Sequence, residues 1–167
     1  MNNFWLDKDK FVEKLQLDAV KKNPYAIQRI LNPSEKIQLE AVQANPYAIQ
    51  GLKNSSESSQ VAAVQKNGFL IEYIENPSEA VQLSAVKQNG LAIQYIKNPS
   101  ETVQIAAFQQ NGLAIIHIEK TSEEVRLSAV QQNGLAIQYI KNPSETVQIA
   151  AVQQDAFAIK FIECKSE

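Results

Sequence analysis

The chain has 167 residues, 44% hydrophobic and 20% charged, which suits one folded domain with a sizeable core and excludes a disordered chain. Sixteen basic against eighteen acidic residues leave no excess positive charge to displace counterions, so nucleic acid is disfavoured as a partner. One cysteine, Cys164, excludes an intrachain disulfide, and no apolar run approaches the ~20 residues of a spanning helix. The leader MNNFWLDKDK lacks a basic flank followed by an apolar run, so the expectation is a cytoplasmic protein without a secretory signal.

Residues 1–9 carry Phe4, Trp5 and Leu6 and are expected to fold over the open edge of the first repeat as a cap. From residue 10 one phrase recurs every 22 residues without insertion or deletion, best read at 76–97 as NPSEAVQLSAVKQNGLAIQYIK. The seven repeats are 10–31, 32–53, 54–75, 76–97, 98–119, 120–141 and 142–163, and 164–167 form a short tail. A fixed period of this kind is the signature of a stacked array. Two blocks, Gln88–Ala107 and Gln132–Ala151, are identical.

Each repeat reads as two helices. Asn76-Pro77-Ser78-Glu79 supplies a capping Asn, Pro at the first helical position and Glu three residues after the cap, where it can reach back to the cap amide. The first helix runs to about Gln88, where Asn89-Gly90 gives a stop, with glycine expected in a left-handed turn. A second helix covers Leu91–Lys97, with Ala92, Ile93 and Ile96 facing one way and Gln94 and Lys97 the other. In the first two repeats Pro24 and Pro46 replace the glycine, and Asn-Pro there starts the second helix directly. Such short helices are marginal alone, so stability must come from stacking. The fold predicted is all-α, an α-solenoid of seven 22-residue helix–turn–helix repeats.

The segments Ala19–Pro24 and Ala41–Pro46, together with Asn-Pro-Ser-Glu at 32–35, 76–79, 98–101 and 142–145, carry a resemblance. They are similar to the leucine-rich variant and short HEAT-like repeats, and to a bacterial and phage repeat family without an assigned function. That resemblance spans residues 10–163 and implies a helical solenoid. The leucine-rich variant pattern usually has Arg after the Val; six repeats here have Gln and only Arg126 fits. The resemblance supplies no catalytic or metal residues.

Repeat 3 departs at Asn54-Ser55-Ser56-Glu57-Ser58-Ser59, a hinge or a site of drift. The final position of each repeat reads Leu31, Lys53, Glu75, Lys97, Glu119, Lys141, Glu163, so stacked neighbours would attract. The Gln row at 16, 38, 60, 82, 104 and 148, with Arg126 in its place once, reads as a ladder bonding to turns or backbone of adjacent repeats. The Asn row at 23, 45, 67, 89, 111 and 133, with Asp155, reads the same way. At the C-terminal edge Val147, Ile149, Val152, Ile159 and Ile162 keep the internal apolar pattern, which leads to an expectation of a homo-oligomer through that edge.

Two features stand apart from scaffolding. One position of the second helix holds Arg29, Gly51, Tyr73, Tyr95, His117, Tyr139 and Phe161, and stacking would align its aromatic members as a strip. The densest departures lie where repeats 5 and 6 meet, at Ile116, His117, Lys120, Thr121, Glu124 and Arg126. The candidate partner surface is Tyr73, Tyr95, Ile116, His117, Lys120, Glu124, Arg126 and Tyr139. One His, one Cys and four Asp cannot assemble a nucleophile triad or a His/Cys metal set, so neither enzyme nor cofactor is expected. The function expected is a non-catalytic module binding a protein partner, in its most concrete form an inhibitor such as a phage-encoded anti-defence protein. The alternatives are a structural, self-assembling repeat protein and a binder of single-stranded nucleic acid that stacks bases on the tyrosines.

Overall fold

The computed structural model describes residues 4–163, and the side chains of residues 8–162. The proposed packing of Phe4, Trp5 and Leu6 and the tail with Cys164 fall outside the described side chains. Within this range the chain is an α-solenoid in which each repeat contributes an α-helix and a shorter 3-10 helix. The α-helices are α1 (Phe4–Lys22), α2 (Glu35–Ala44), α3 (Glu57–Lys66), α4 (Glu79–Gln88), α5 (Glu101–Gln110), α6 (Glu123–Gln132) and α7 (Glu145–Gln154). The 3-10 helices are η1 (Pro24–Arg29), η2 (Pro46–Gly51), η3 (Gly68–Tyr73), η4 (Gly90–Tyr95), η5 (Gly112–His117), η6 (Gly134–Tyr139) and η7 (Ala156–Ala158), and α8 (Ile159–Glu163) follows η7. Helices α1 to α7 stack on one another as one layer, the 3-10 helices stack as a second, and among the described residues contacts run only within a repeat or between successive repeats.

The second helix is therefore 3-10 rather than α. Over only six residues, i→i+3 bonding closes one more hydrogen bond than i→i+4, and each residue rises ~2.0 Å instead of 1.5 Å. Asn23, Asn45, Asn67, Asn89, Asn111 and Asn133 cap these helices, each side chain accepting from the amide two residues on. Asp155 does the same for η7. The Asn row is thus structural.

The α-helix starts two residues later than the sequence suggests. Ser34, Ser56, Ser78, Ser100, Ser122 and Ser144 occupy the cap position, not Asn. Where Pro follows, Asn32, Asn76, Asn98 and Asn142 adopt left-handed backbone, with φ between 48° and 51°. Pro disfavours the right-handed region for its predecessor, and Asn tolerates the left-handed one. Asn54 and Lys120, which lack a following Pro, do not adopt it.

The Glu residues do not close a capping box. In repeats 1 to 6 the Glu instead accepts from a serine hydroxyl in the following repeat: Ser34 to Glu13, Ser58 to Glu35, Ser78 to Glu57, Ser100 to Glu79, Ser122 to Glu101 and Ser144 to Glu123. From Ser78 onward one hydroxyl both accepts from its own helix and donates to the preceding repeat. Repeat 3 keeps the helix length of the other internal repeats. Its fully buried Ser59 accepts from Ser56, and Ser58 makes the rung to Glu35.

None of the described glycines has a positive φ. Gly68, Gly90, Gly112 and Gly134 open their 3-10 helices, and each amide donates to the Oε1 of a glutamine 20 residues on, at 2.5–2.7 Å. A Cβ on any of the four would lie 2.3–2.5 Å from a backbone carbonyl oxygen of the next repeat, so glycine serves close approach rather than an unusual turn. Pro24 and Pro46 have no such amide, and 20 residues beyond them stand Ala44 and Lys66 instead of glutamine. There the junction is tied through Tyr25 and Tyr47, whose hydroxyls accept from the side-chain amides of Asn45 and Asn67 at 3.2 and 3.1 Å.

The core is one continuous ladder. Ala41, Ala63, Ala85, Ala107, Ala129 and Ala151 are fully buried beside Val42, Val64, Val86, Phe108 and Val130. Ile27, Ile49, Ile71, Ile93, Ile115 and Ile137 close it from the 3-10 layer. At the C-terminal edge Val147 is fully buried, while Ile149, Phe157 and Ile159 are exposed.

Candidate functional site

The Gln row lies at the base of each inter-repeat turn. Gln82, Gln104 and Gln148 donate to the carbonyls of Pro77, Pro99 and Pro143, so the ladder bonds mainly to its own turn. Gln38 alone also crosses to the next repeat, where its Oε1 accepts from the amide of Ser56. Beside several turns the end of one 3-10 helix and that of the next leave a notch. The notch between repeats 3 and 4 is lined by Glu72, Tyr73, Glu75, Asn76, Gln82, Tyr95 and Lys97 over Ile71, Ile74 and Ile96. The notch between repeats 5 and 6 is the same construction with different residues: Ile116, Glu119, Lys120, Thr121, Arg126, Tyr139 and Lys141 over Ile115, Ile118 and Ile140.

Stacking therefore gathers four of the candidate residues, Ile116, Lys120, Arg126 and Tyr139, around one notch. Tyr73 and Tyr95 lie together in another notch, two repeats away. His117 and Glu124 line neither. Both are exposed, His117 at the end of η5 and Glu124 in the first turn of α6. Tyr73, Tyr95 and Tyr139 are 39–47% exposed, so the aromatic row is a surface feature. Part of Tyr95 is spent on stacking, its ring meeting Phe69 of the preceding repeat edge-on at 6.1 Å.

Lys141 and Glu119 were not among the candidates, although both face the notch. They belong to the alternating row of charges that ends each repeat. The signal for them was the row itself, read as stacking when its members form the rims. Lys53, Glu75, Lys97, Glu119 and Lys141 are all exposed and none is within ion-pair distance of its neighbour. Such pairs would add little in any case.

Arg126 changes the chemistry of its turn. Thr121 stands where most repeats have Pro, and its Oγ1 accepts from the Arg126 Nε at 3.1 Å. That bond holds the half-buried side chain by one edge, and among the described residues its terminal nitrogens have no protein acceptor. A guanidinium fixed in this way presents a fork suited to a carboxylate or phosphate. Among the described residues no group of three or more His, Cys, Asp or Glu could hold a metal, and no helix is long and apolar enough to cross a membrane. No family model, curated protein or solved structure matches the chain.

Proposed function

We propose that the chain is a non-catalytic binding module that captures a protein partner along the notched face between its 3-10 helices. The supporting observation is the convergence of Ile116, Lys120, Arg126 and Tyr139, from two successive repeats, on the notch between repeats 5 and 6. At the equivalent positions repeats 3 and 4 carry Glu72, Asn76, Gln82 and Tyr95. Residues repeated for stacking explain themselves by stacking. Departures that meet in one open notch, combining an exposed apolar side chain, a Tyr and cations, fit contact with another molecule.

In this reading the solenoid is the rigid holder and capture blocks or positions the partner. Inhibition of a bacterial host protein by a phage-encoded chain is the version that the family resemblance suggests, in a cytoplasmic setting. Affinity capture from host lysate with the immobilised chain, followed by mass spectrometry, should enrich a protein that the same chain with Tyr95, His117 and Tyr139 changed to Ala retains less well. Absence of any protein enriched over an unrelated solenoid would overturn the proposal.

A further inference from the structure

We infer that the notch between repeats 5 and 6 receives an acidic, apolar-flanked peptide segment, a carboxylate seated against Arg126 and Lys120 and a neighbouring apolar side chain against Ile116 and Tyr139. This rests on the binding-module reading and names the chemistry of its partner. Three departures make this notch unlike the one between repeats 3 and 4, and they act in one direction. Lys120 replaces Asn, Arg126 replaces Gln, and Ile116 stands where the notch between repeats 3 and 4 has Glu72. With Lys141 on the rim, three cations face Glu119 alone, whereas the notch between repeats 3 and 4 opposes two carboxylates to one lysine. Among the described residues none of the three cations is within ion-pair distance of a carboxylate.

The apolar half has the same logic. Ile116 is 56% exposed and Tyr139 42%, and the buried Ile115 and Ile140 line the same notch. A lone phosphate or metal-free anion would use only the cationic half. A peptide with an Asp or Glu beside a Leu or Phe uses both, and the Arg fork adds direction to the carboxylate contact. The overall charge balance, with more acidic than basic residues, favours a single acidic peptide over a nucleic-acid strand that needs many cations in line.

The test uses the whole chain and a fluorescent octapeptide alternating aspartate and leucine, read by anisotropy at low salt and by backbone amide chemical shifts. Binding should be saturable, weaken as salt rises, and shift amides in residues 115–126 and 139–141. The variant carrying Ile116→Gln, Lys120→Asn and Arg126→Gln takes residues that other repeats already hold at these positions, so it should fold, as circular dichroism would verify. Its affinity should fall about tenfold or more. The inference is overturned by no binding, by undiminished binding to the variant, by equal binding of an alternating lysine–leucine peptide, by shifts centred on Tyr73 and Tyr95, or by tighter binding of a single-stranded oligonucleotide at the same residues. A lysate partner captured equally by the variant would remove this notch as the site while leaving the binding-module reading intact.

Discussion

The glycines illustrate how one residue type can serve opposite needs in one chain. At Gly112 a Cβ would lie 2.3 Å from the Ala129 carbonyl oxygen, and backbone cannot swing aside. At Gly51 the obstacle is the side chain of Gln28, which is exposed and can turn away. Gly112→Ala should therefore cost about 2–3 kcal/mol in urea denaturation, and Gly51→Ala less than about 1. A residue-scale contrast of another kind holds at Asn98, whose φ is 50°. Asn98→Ala should lose about 1 kcal/mol, whereas Asn98→Gly, which adopts this backbone freely, should lose clearly less in the same experiment. The buried set Ala92, Ile93 and Ile96 was legible in the sequence, because apolar spacing reports facing whatever the helix type. The role of Gly90 was not, because a distance of approach is a property of the next repeat's backbone. Its trace was present all the same: Gly is followed 20 residues later by Gln four times, and Pro never is.

At the scale of elements, the serine hydroxyl that caps each of α4 to α7 also ties that helix to the repeat before. Ser100→Ala removes the cap of α5 and the donor to Glu79 together. The expected loss is about 1–2 kcal/mol, and Ser100→Thr, which keeps the hydroxyl, should retain most of it in thermal or urea unfolding. Sequence reasoning placed the cap on Asn, since Asn-Pro followed by Glu matches a capping box in spacing. Serine takes the cap even in repeats 3 and 6, where Asn54 and Lys120 lack the left-handed backbone, an outcome that spacing alone does not reveal. The 3-10 form of the second helix was equally hidden, since the preference over six residues is small and depends on the layer against which it packs. The departures themselves were legible in the sequence, and which of them share a notch was not. Ile116 comes from the end of repeat 5, Lys120, Arg126, Tyr139 and Lys141 come from the two ends of repeat 6, and Glu124 falls outside the notch on the first turn of α6.

For the whole molecule, contacts restricted to successive repeats make stability a sum of units and junctions. Phe108, fully buried in the middle of the array, belongs to two of those junctions at most. Phe108→Ala should cost about 3–5 kcal/mol. Hydrogen exchange should accelerate first in repeats 4–6 and last at positions remote from them, rather than uniformly. Equal acceleration along the chain would mean that the solenoid unfolds as a single cooperative body.

The two kinds of junction also set rules for how such an array can change its length. A glycine repeat must be followed by one bearing glutamine 20 residues later, and a proline repeat by one that lacks it, so copies are not freely interchangeable along the chain. Residues 98–119 duplicated directly after residue 119 would set Gly112 against Gln110 and preserve every amide acceptor. The same block placed after residue 53 would set Pro46 against Gln110, stranding the glutamine carbonyl and leaving Tyr47 as the tie. The first extended protein should unfold at a temperature equal to or above the parent's, and the second below it. Growth by copying thus has a permitted place in the sequence, and the block repeated at Gln88–Ala107 and Gln132–Ala151 lies within it.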